Sequence, residues 1–536
     1  MKKTILCIVA VCLAVCILLS GCAGINFVGY FQQLAALISG GAVTPFSQME
    51  YTRPDMAYFR KTLDTCCAAA ESETNLDAMV DTIYQFYGVY DAFCTGLALS
   101  MIHYSQDQTN GYWAEEYQFC TGNSAEVDAG LDRFYRVLAK SSLRDALEGE
   151  DYFGPGYFDS YDGESIYDAY FTDLLNQEAA LENEYYSLIA SAGENFGYTQ
   201  SFYDTYGCQM AEIFVELIQV RQAQADYAGY DSYPAFAYDF CHARDYTVEQ
   251  ATAYIADIRA ELAPLYRQVL RDPDITLYTC TEEEMFAYVQ TMASSMGGQI
   301  ATAFATMNSA GLYDITASAD KLDASFEIYI RDYYSPFVFV NPAGNEYDKL
   351  TFAHEFGHFC SDYVSWGSGA GVDVAEIFSQ GMEYLSLCYG QKNENLTQLK
   401  LLDSLCIYVE QAAYASFEQQ VYGLEGDALT VENVQALYEK VCADYGLEGG
   451  WSYVFITHFF TEPMYVISYV VSNDAAMQLY QMEQESNGAG LTCLTSNLAT
   501  TQPYFLAFLE EAGLESPFAH GRIQSVKETL QSALNR

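Results

Sequence analysis

The sequence is poor in basic residues. Its 536 residues include 23 lysines and arginines against 72 aspartates and glutamates, and the formal net charge is −49. A surface of this charge repels the phosphates of nucleic acids and the headgroups of anionic lipids, so a nucleic-acid-binding role is excluded. The acidic residues are spread along the chain rather than gathered in a tail, a distribution typical of the solubilising surface of a secreted protein.

Several other patterns are missing. No apolar run after residue 25 approaches the ~20 residues that a membrane-spanning helix needs. There is no internal repeat, no low-complexity segment and no glycine pattern of a nucleotide-binding loop. The 16 cysteines include no Cys-x-x-Cys pair, so the sequence assigns no disulfide pairing, and we expect most of the thiols to pack as small apolar side chains. With 51% hydrophobic residues, the chain can nevertheless bury a large core.

The first 22 residues have the features of an export signal. Two lysines precede an apolar stretch over residues 4–19, and small residues then lead to Cys22. This order resembles the lipobox of bacterial lipoproteins, which implies cleavage before Cys22 and a lipid on its thiol. We therefore predict a lipoprotein signal peptide over residues 1–21, a tether over residues 22–49, and an extracytoplasmic protein anchored to the outer face of the bacterial cytoplasmic membrane. An ordinary secretory signal or an uncleaved anchor is the alternative.

The remaining chain is predicted to be mainly α-helical. Apolar residues recur at helical spacing over residues 77–101, 210–227 and 247–270. Capping boxes at Thr247 and Thr281 mark two helix starts. Residues 326–340 differ, because they are rich in β-branched and aromatic side chains and predict two short strands. These strands either hold an extended substrate at a sheet edge or form a structural hairpin.

A His-Glu-x-x-His motif is formed by His354, Glu355 and His358. On a helix, residues four apart lie on the same face, so the two histidines can bind one metal ion. Glu355 lies beside that face, where a carboxylate can take a proton from water. The alternative is a buried helix that carries two histidines by chance, which is rare in a chain with only 6 histidines.

A catalytic zinc site needs a third protein ligand and leaves its fourth position to water. A second helix is predicted to begin near residue 372 and to return across the first. It would present Glu376 to the metal, while Glu383, two turns further on, either orients one of the histidines or is solvated. Asp373, Asp362 and Cys360 are weaker ligand candidates, the cysteine because its side chain points away from the histidine face.

A third informative segment begins at His458 and includes Tyr465 and Tyr469. Imidazolium and hydroxyl groups donate hydrogen bonds, and they suit the negative oxygen that forms when a carbonyl carbon becomes tetrahedral. An aromatic helix that only packs in the core is the competing interpretation.

Taken together, these residues resemble the thimet oligopeptidase and oligoendopeptidase F family of zinc metallopeptidases. The resemblance rests on three motifs in matching order, over residues 341–358, 374–383 and 458–469. It implies a large two-lobed helical body that is split by a deep substrate channel, with a small β-sheet near the zinc site. An N-terminal helical lobe would span residues 50–245 and a catalytic helical lobe residues 246–536.

The resemblance also implies roles for the motif residues. It implies one Zn²⁺ ion held by His354, His358 and Glu376, with Glu355 as the general base.

The same resemblance implies that His458 and a following tyrosine stabilise the oxyanion, and whether this is Tyr465 or Tyr469 stays open. The predicted function is that of a zinc metalloendopeptidase that hydrolyses internal bonds of short peptides. We expect a monomer that meets the membrane only through lipidated Cys22. The competing hypotheses are a surface lipoprotein that binds peptides without cleaving them and a lipoprotein with a purely structural metal site.

Overall fold

The computed structural model describes residues 43–149, 152–193, 196–270, 276–367 and 369–534. The predicted signal peptide, Cys22 and the predicted tether up to residue 42 lie outside the described residues. A 3₁₀ turn spans Phe46–Gln48, and the ring centroid of Phe46 is 4.3 Å from that of Phe337. The last residues of the predicted tether therefore lie against the folded body.

The described ranges are mainly α-helical, as predicted. The first half of the chain contains the helices α1 (Met56–Ser72), α2 (Leu76–Gln106), α3 (Gly111–Ala139), α4 (Arg144–Leu147), α5 (Ala169–Ala192), α6 (Gln200–Phe202), α7 (Cys208–Ala228) and α8 (Tyr233–Phe236). The rest contains α9 (Val248–Glu261), α10 (Ala263–Val269), α11 (Glu282–Met296), α12 (Gly298–Ala310), α13 (Asp348–Ser365), α14 (Val372–Tyr389), α15 (Glu394–Cys406), α16 (Ala412–Val421), α17 (Val431–Tyr445), α18 (Thr457–Thr461), α19 (Ile467–Glu485), α20 (Ala489–Asn497), α21 (Phe505–Ala512) and α22 (Arg522–Ala533).

Local sequence sets several helix ends. Both predicted capping boxes are present, at Thr247 before α9 and at Thr281 before α11. In each box the threonine hydroxyl accepts a hydrogen bond from a backbone N–H of the first turn, which would otherwise have no partner. The side chains of Asp55 and Asn75 cap α1 and α2 in the same way.

A three-stranded sheet interrupts the helices where the two strands were predicted. It consists of β1 (Tyr313–Asp314), β2 (Ser325–Ile330) and β3 (Ser335–Val340), in the order β1-β3-β2. Strands β2 and β3 are antiparallel, whereas β1 runs parallel to β3. The sheet packs on α13, the helix that carries the His-Glu-x-x-His motif.

The described residues form two large hydrophobic cores. The smaller lies among α1, α2 and α3 and contains Phe59, Phe86 and Phe134. The larger extends from the end of α2 through α5 and α7 to α22. The fold is the predicted two-lobed helical body. Helices α5 and α7 share the second core although they precede residue 245, and the division of the chain at that residue stays a prediction.

Among the helices of the described ranges, none is both apolar enough and long enough to span a membrane. The cysteines in these ranges are free thiols.

Candidate metal centre

Two glycines let helix α14 lie close to its neighbours. A Cβ atom at Gly357 of α13 would lie 2.6 Å from both the Phe378 carbonyl oxygen and the Ser379 Cα atom. A Cβ atom at Gly381 would lie 2.9 Å from Leu479 of α19. A larger residue at Gly357 would push α13 and α14 apart, because the atoms in its way belong to the backbone of a close-packed neighbour. The close approach brings the histidine face of α13 against the first turns of α14.

His354 and His358 of α13 meet Glu376 of α14. Their ligand atoms all lie within 4.8 Å of one another. Nε2 of His354 is 3.5 Å from Oε2 of Glu376, and Nε2 of His358 is 3.8 Å from Oε1. Burial and the neighbouring His354 lower the pKa of His358 well below its usual value, so its ring is neutral and can act as a ligand. Two imidazoles and a carboxylate are a donor set of catalytic zinc sites, and this group fits one such ion.

Glu383 contacts His354 rather than solvent. Its Oε1 is 2.7 Å from Nδ1 of His354, and its Oε2 is 2.7 Å from Nζ of Lys400. Burial by itself would raise the pKa of Glu383, but Lys400 and His354 together hold it below its usual value. The carboxylate is therefore charged and accepts a hydrogen bond from Nδ1 of His354. This bond fixes the tautomer and leaves Nε2 as the ligand atom.

The carboxylate of Glu376 is held by two hydroxyl groups. Tyr465 donates to its Oε1 over 2.6 Å, and Ser379 donates to its Oε2 over 2.9 Å. Burial raises the pKa of Glu376 above its usual value, and His354 and the two hydroxyls offset only part of this rise. Burial and the adjacent Glu376 raise the pKa of the Tyr465 phenol well above its usual value, so the phenol keeps its proton and remains a donor.

The residues predicted to stabilise the oxyanion lie next to the predicted metal ligands. Nε2 of His458 lies 3.1 Å from the hydroxyl oxygen of Tyr469. The ring centroid of Tyr465 is 5.6 Å from that of His458 and 5.3 Å from that of Tyr469. Because Tyr465 also bonds to Glu376, these three rings form a wall that is joined directly to the ligand group.

Glu355 is buried and lies on α13 between the two histidines. A second buried carboxyl group, that of Glu327 on β2, interacts electrostatically with Glu355. Burial, Asp362 and Glu355 raise the pKa of Glu327 well above its usual value. Sequence reasoning overlooked this residue. Its signal is a lone acid in a strand of otherwise small, apolar and aromatic residues.

The weaker ligand candidates are wrong. Asp373 pairs with Arg244 at 3.1 Å, which accounts for its charge. Asp362 shares a hydrogen bond with Glu327. Neither residue, nor the buried Cys360, belongs to the ligand group.

Sequence reasoning also overlooked Lys400. The residue is fully buried, between Leu399 and Leu401 on α15. A lysine inside an apolar stretch, in a chain with only 23 basic residues, signals a buried partner of opposite charge. Ser379 carries no comparable signal, because serines are common in helices that contain no functional site.

Known proteins share this architecture. Residues 46–164 match the Peptidase M3 N-terminal domain. PZ peptidase A, solved with an inhibitor, superposes with a TM-score of 0.83 at 20% identity, over 91% of this chain and 99% of that chain. A structure designated oligoendopeptidase F gives a TM-score of 0.84 at 20% identity, over 92% and 99% of the two chains. Another, designated oligoendopeptidase F from Bacillus anthracis str. Ames, gives 0.79 at 19% identity, over 92% and 99%.

The chain has the oligoendopeptidase F fold. The resemblance to the thimet oligopeptidase and oligoendopeptidase F family is thereby confirmed, since the N-terminal domain match and the fold agree with the three motifs. No curated protein matches the chain in sequence. The fold, the domain match and the buried His-His-Glu group together support a metal-dependent peptidase.

Proposed function

We propose that the protein is a zinc-dependent oligopeptidase that hydrolyses internal bonds of short peptides. The observation that carries the proposal is the convergence of His354, His358 and Glu376 within 4.8 Å, with Glu355 on the same helix. A structural metal site has no use for a carboxylate beside its ligands, whereas hydrolysis requires a base at that position.

The three ligand side chains would hold one Zn²⁺ ion. A bound ion would supply Lewis-acid polarisation of the attacking water and of the substrate carbonyl. Glu355 would accept the proton of the attacking water and pass it to the leaving amine. Its burial favours this role, because a base surrounded by protein rather than water holds its position for proton transfer.

The wall formed by His458, Tyr465 and Tyr469 would face the carbonyl oxygen of the substrate. The His458 imidazole and the Tyr469 hydroxyl would donate hydrogen bonds to the oxyanion as the carbonyl carbon becomes tetrahedral, whereas the Tyr465 hydroxyl would support the ligand Glu376. A narrow channel between the lobes, as the family resemblance implies, would admit short peptides and exclude folded proteins.

We also propose that the enzyme acts outside the cell as a monomer. The support is the lipobox-like segment that ends at Cys22 and the strongly acidic composition. Lipidation of Cys22 would anchor the protein to the outer face of the cytoplasmic membrane.

The decisive experiment uses the protein from residue 22 onward and quenched fluorescent peptides of about 6–15 residues. We expect cleavage that a chelator abolishes and added Zn²⁺ restores. Glu355→Gln should lower kcat on the order of 10²–10⁴-fold, because the general base is lost. Glu394→Gln, at an exposed position at the start of α15, is the matched control and should be fully active. Cleavage that persists in Glu355→Gln contradicts the mechanism.

Metal content separates the proposal from the competing hypotheses. We expect one zinc ion per chain in the wild type and in His520→Ala, whose histidine is exposed, and none in His358→Ala. Tight peptide binding with no cleavage by the zinc-loaded protein would favour a peptide-binding lipoprotein.

A further inference from the structure

The backbone at Met464 adopts a conformation that is unfavourable for its residue type. Its φ is +64°, in the left-handed region that side chains other than glycine rarely occupy. Such residues persist where the surroundings over-determine them, and they concentrate at functional sites. Met464 is buried and immediately precedes Tyr465, whose hydroxyl donates to Glu376. Residues 463–465 are called the Met464 bend below.

Three buried side chains, from distant parts of the chain, hold the Met464 bend. Oε1 of Glu418 accepts a hydrogen bond from the N–H of Met464 over 2.7 Å. Nη1 of Arg244 donates to the Met464 carbonyl oxygen over 2.9 Å. Nε2 of His242 lies 2.9 Å from the Pro463 carbonyl oxygen. The N–H and C=O of the strained residue are thus both fixed by side chains that cannot move into solvent.

Arg244 also ties the bend to the helices that surround the metal group. Its Nε is 3.1 Å from Oδ2 of Asp373, in the first turn of α14. Its Nη2 donates to the Ser468 hydroxyl over 2.9 Å, at the start of α19. One guanidinium therefore sets the Met464 bend relative to the helix that carries Glu376. A planar fork of donors suits this task, whereas a single ammonium group could not reach all three acceptors.

We propose that Glu418 and Arg244 are positioning residues of the metal centre. They hold the Met464 bend in its left-handed conformation and thereby fix the Tyr465 hydroxyl on Glu376. The cleavage readout below rests on the proposed peptidase function, but the metal-binding readout does not.

The primary test compares Glu418→Ala with Glu418→Gln. The amide oxygen of glutamine can still accept the Met464 N–H, so Glu418→Gln should retain Zn²⁺ affinity and kcat. Glu418→Ala should lower both by ~10–100-fold, the range seen when groups behind metal ligands are lost. The Zn²⁺ affinity is measured by competition with a chromophoric chelator, and circular dichroism and the melting temperature check the fold.

Glu483→Ala is the matched control. Glu483 is also a buried glutamate that accepts backbone N–H groups, from Gly488 and Leu491 at the start of α20, but it lies at the far end of α19 from the Met464 bend. Its loss should leave Zn²⁺ affinity and kcat unchanged. If Glu418→Ala does not fold, Arg244→Lys takes its place and should lower the Zn²⁺ affinity, because lysine keeps the charge near Asp373 but loses the fork.

A double-mutant cycle tests whether Glu418 acts through the strained residue. Glycine adopts a φ of +64° without steric cost, so the bend in Met464→Gly depends less on Glu418. The loss of Zn²⁺ affinity caused by Glu418→Ala should therefore be smaller in the Met464→Gly background than in the wild type. An equal loss in both backgrounds, or an unchanged Zn²⁺ affinity in folded Glu418→Ala, would overturn the proposal. Absence of cleavage by the wild type would instead refute the proposed function and leave the metal-binding comparison valid.

Discussion

Nδ1 of His354 and Oε1 of Glu383 lie 2.7 Å apart, on two helices that Gly357 allows to touch. The other oxygen of Glu383 pairs with the fully buried Lys400, which in turn lies 3.0 Å from Asp403. The orientation of the first predicted ligand is thus set by a chain of charged groups that extends away from the metal group into the core. Removing one charge from this chain leaves its neighbours buried without full compensation.

Glu383→Gln should weaken Zn²⁺ binding by ~10–100-fold while the protein stays folded. The neutral amide gives a weaker hydrogen bond to Nδ1 of His354 and no longer balances the charge of Lys400. Competition with a chromophoric chelator measures the affinity. Glu394→Gln on α15 is the control, because its side chain is exposed and lies outside this chain of charges. A folded Glu383→Gln protein with the wild-type affinity would contradict the assignment.

Gly357→Ala should destabilise the protein and lower its metal content. The added methyl group would lie 2.6 Å from backbone atoms of Phe378 and Ser379, which cannot give way as a flexible side chain can. Overpacking of this kind costs ~1–3 kcal/mol. Gly88→Ala provides the comparison, since the Cβ position on α2 is free of neighbours within 4 Å. That substitution should be neutral or stabilise by ~0.5–1 kcal/mol. Urea unfolding and zinc analysis distinguish the two.

Tyr465→Phe and Tyr469→Phe should have different effects. Tyr465 donates to Glu376, so its hydroxyl supports a ligand, and its loss should lower Zn²⁺ affinity together with kcat. The Tyr469 hydroxyl lies 3.1 Å from Nε2 of His458, so its loss should lower kcat with the Zn²⁺ affinity unchanged. Steady-state kinetics at saturating Zn²⁺ and chelator competition measure the two quantities. Equal effects on affinity would refute this division of roles.

Two buried glutamates should give opposite dependences of stability on pH. Burial raises the pKa of Glu418 to about 8 from an ordinary value of 4.5, so the folded protein keeps a proton that the unfolded chain releases. The contribution of Glu418 to stability is therefore present below pH 4.5 and is lost as the pH rises towards 8. Relative to Glu418→Gln, the wild type should lose stability across this window, by at most about 1.4 kcal/mol per pH unit.

Glu483 should give the opposite dependence of stability on pH. Burial opposes its charge, but the N–H groups of Gly488 and Leu491 hold its pKa below the ordinary value of 4.5. Its contribution to stability is present above that pH and is lost as the pH falls through the folded-state pKa. The wild type should therefore exceed Glu483→Gln in melting temperature at pH 7 and approach it at acidic pH. If the stability of the wild type and of each Gln variant changed with pH in the same way, both pKa shifts would be contradicted.

The elements that depend on local sequence were predictable. Thr247 and Thr281 cap helices because the groups that satisfy each other lie three residues apart. The composition of residues 326–340 indicated the strands that became β2 and β3. The helix under the His-Glu-x-x-His motif and a second helix that returns across it were also predictable, because both have helical periodicity.

Contacts between distant residues were not predictable from one sequence. Arg244 and Met464, or Lys400 and Glu383, meet only because whole helices pack in a particular way. The sequence around a buried charged residue does not indicate which distant residue pairs with it. The same limit explains why the two tyrosines could not be distinguished, since the direction of Tyr465 follows from the left-handed φ of Met464. That angle is imposed by contacts such as the one from Glu418.

The separation of these contacts along the chain has a consequence during synthesis. Arg244 precedes the residue whose carbonyl it binds by 220 positions. At ~5–20 residues per second, about 10–45 s pass between the synthesis of these two residues. From residue 376 until residues 463–465 are made, the nascent chain contains every predicted zinc ligand but has no bend to hold Tyr465. A chain that is still being made should therefore be unable to cleave peptides, and activity should begin only when its last quarter has folded.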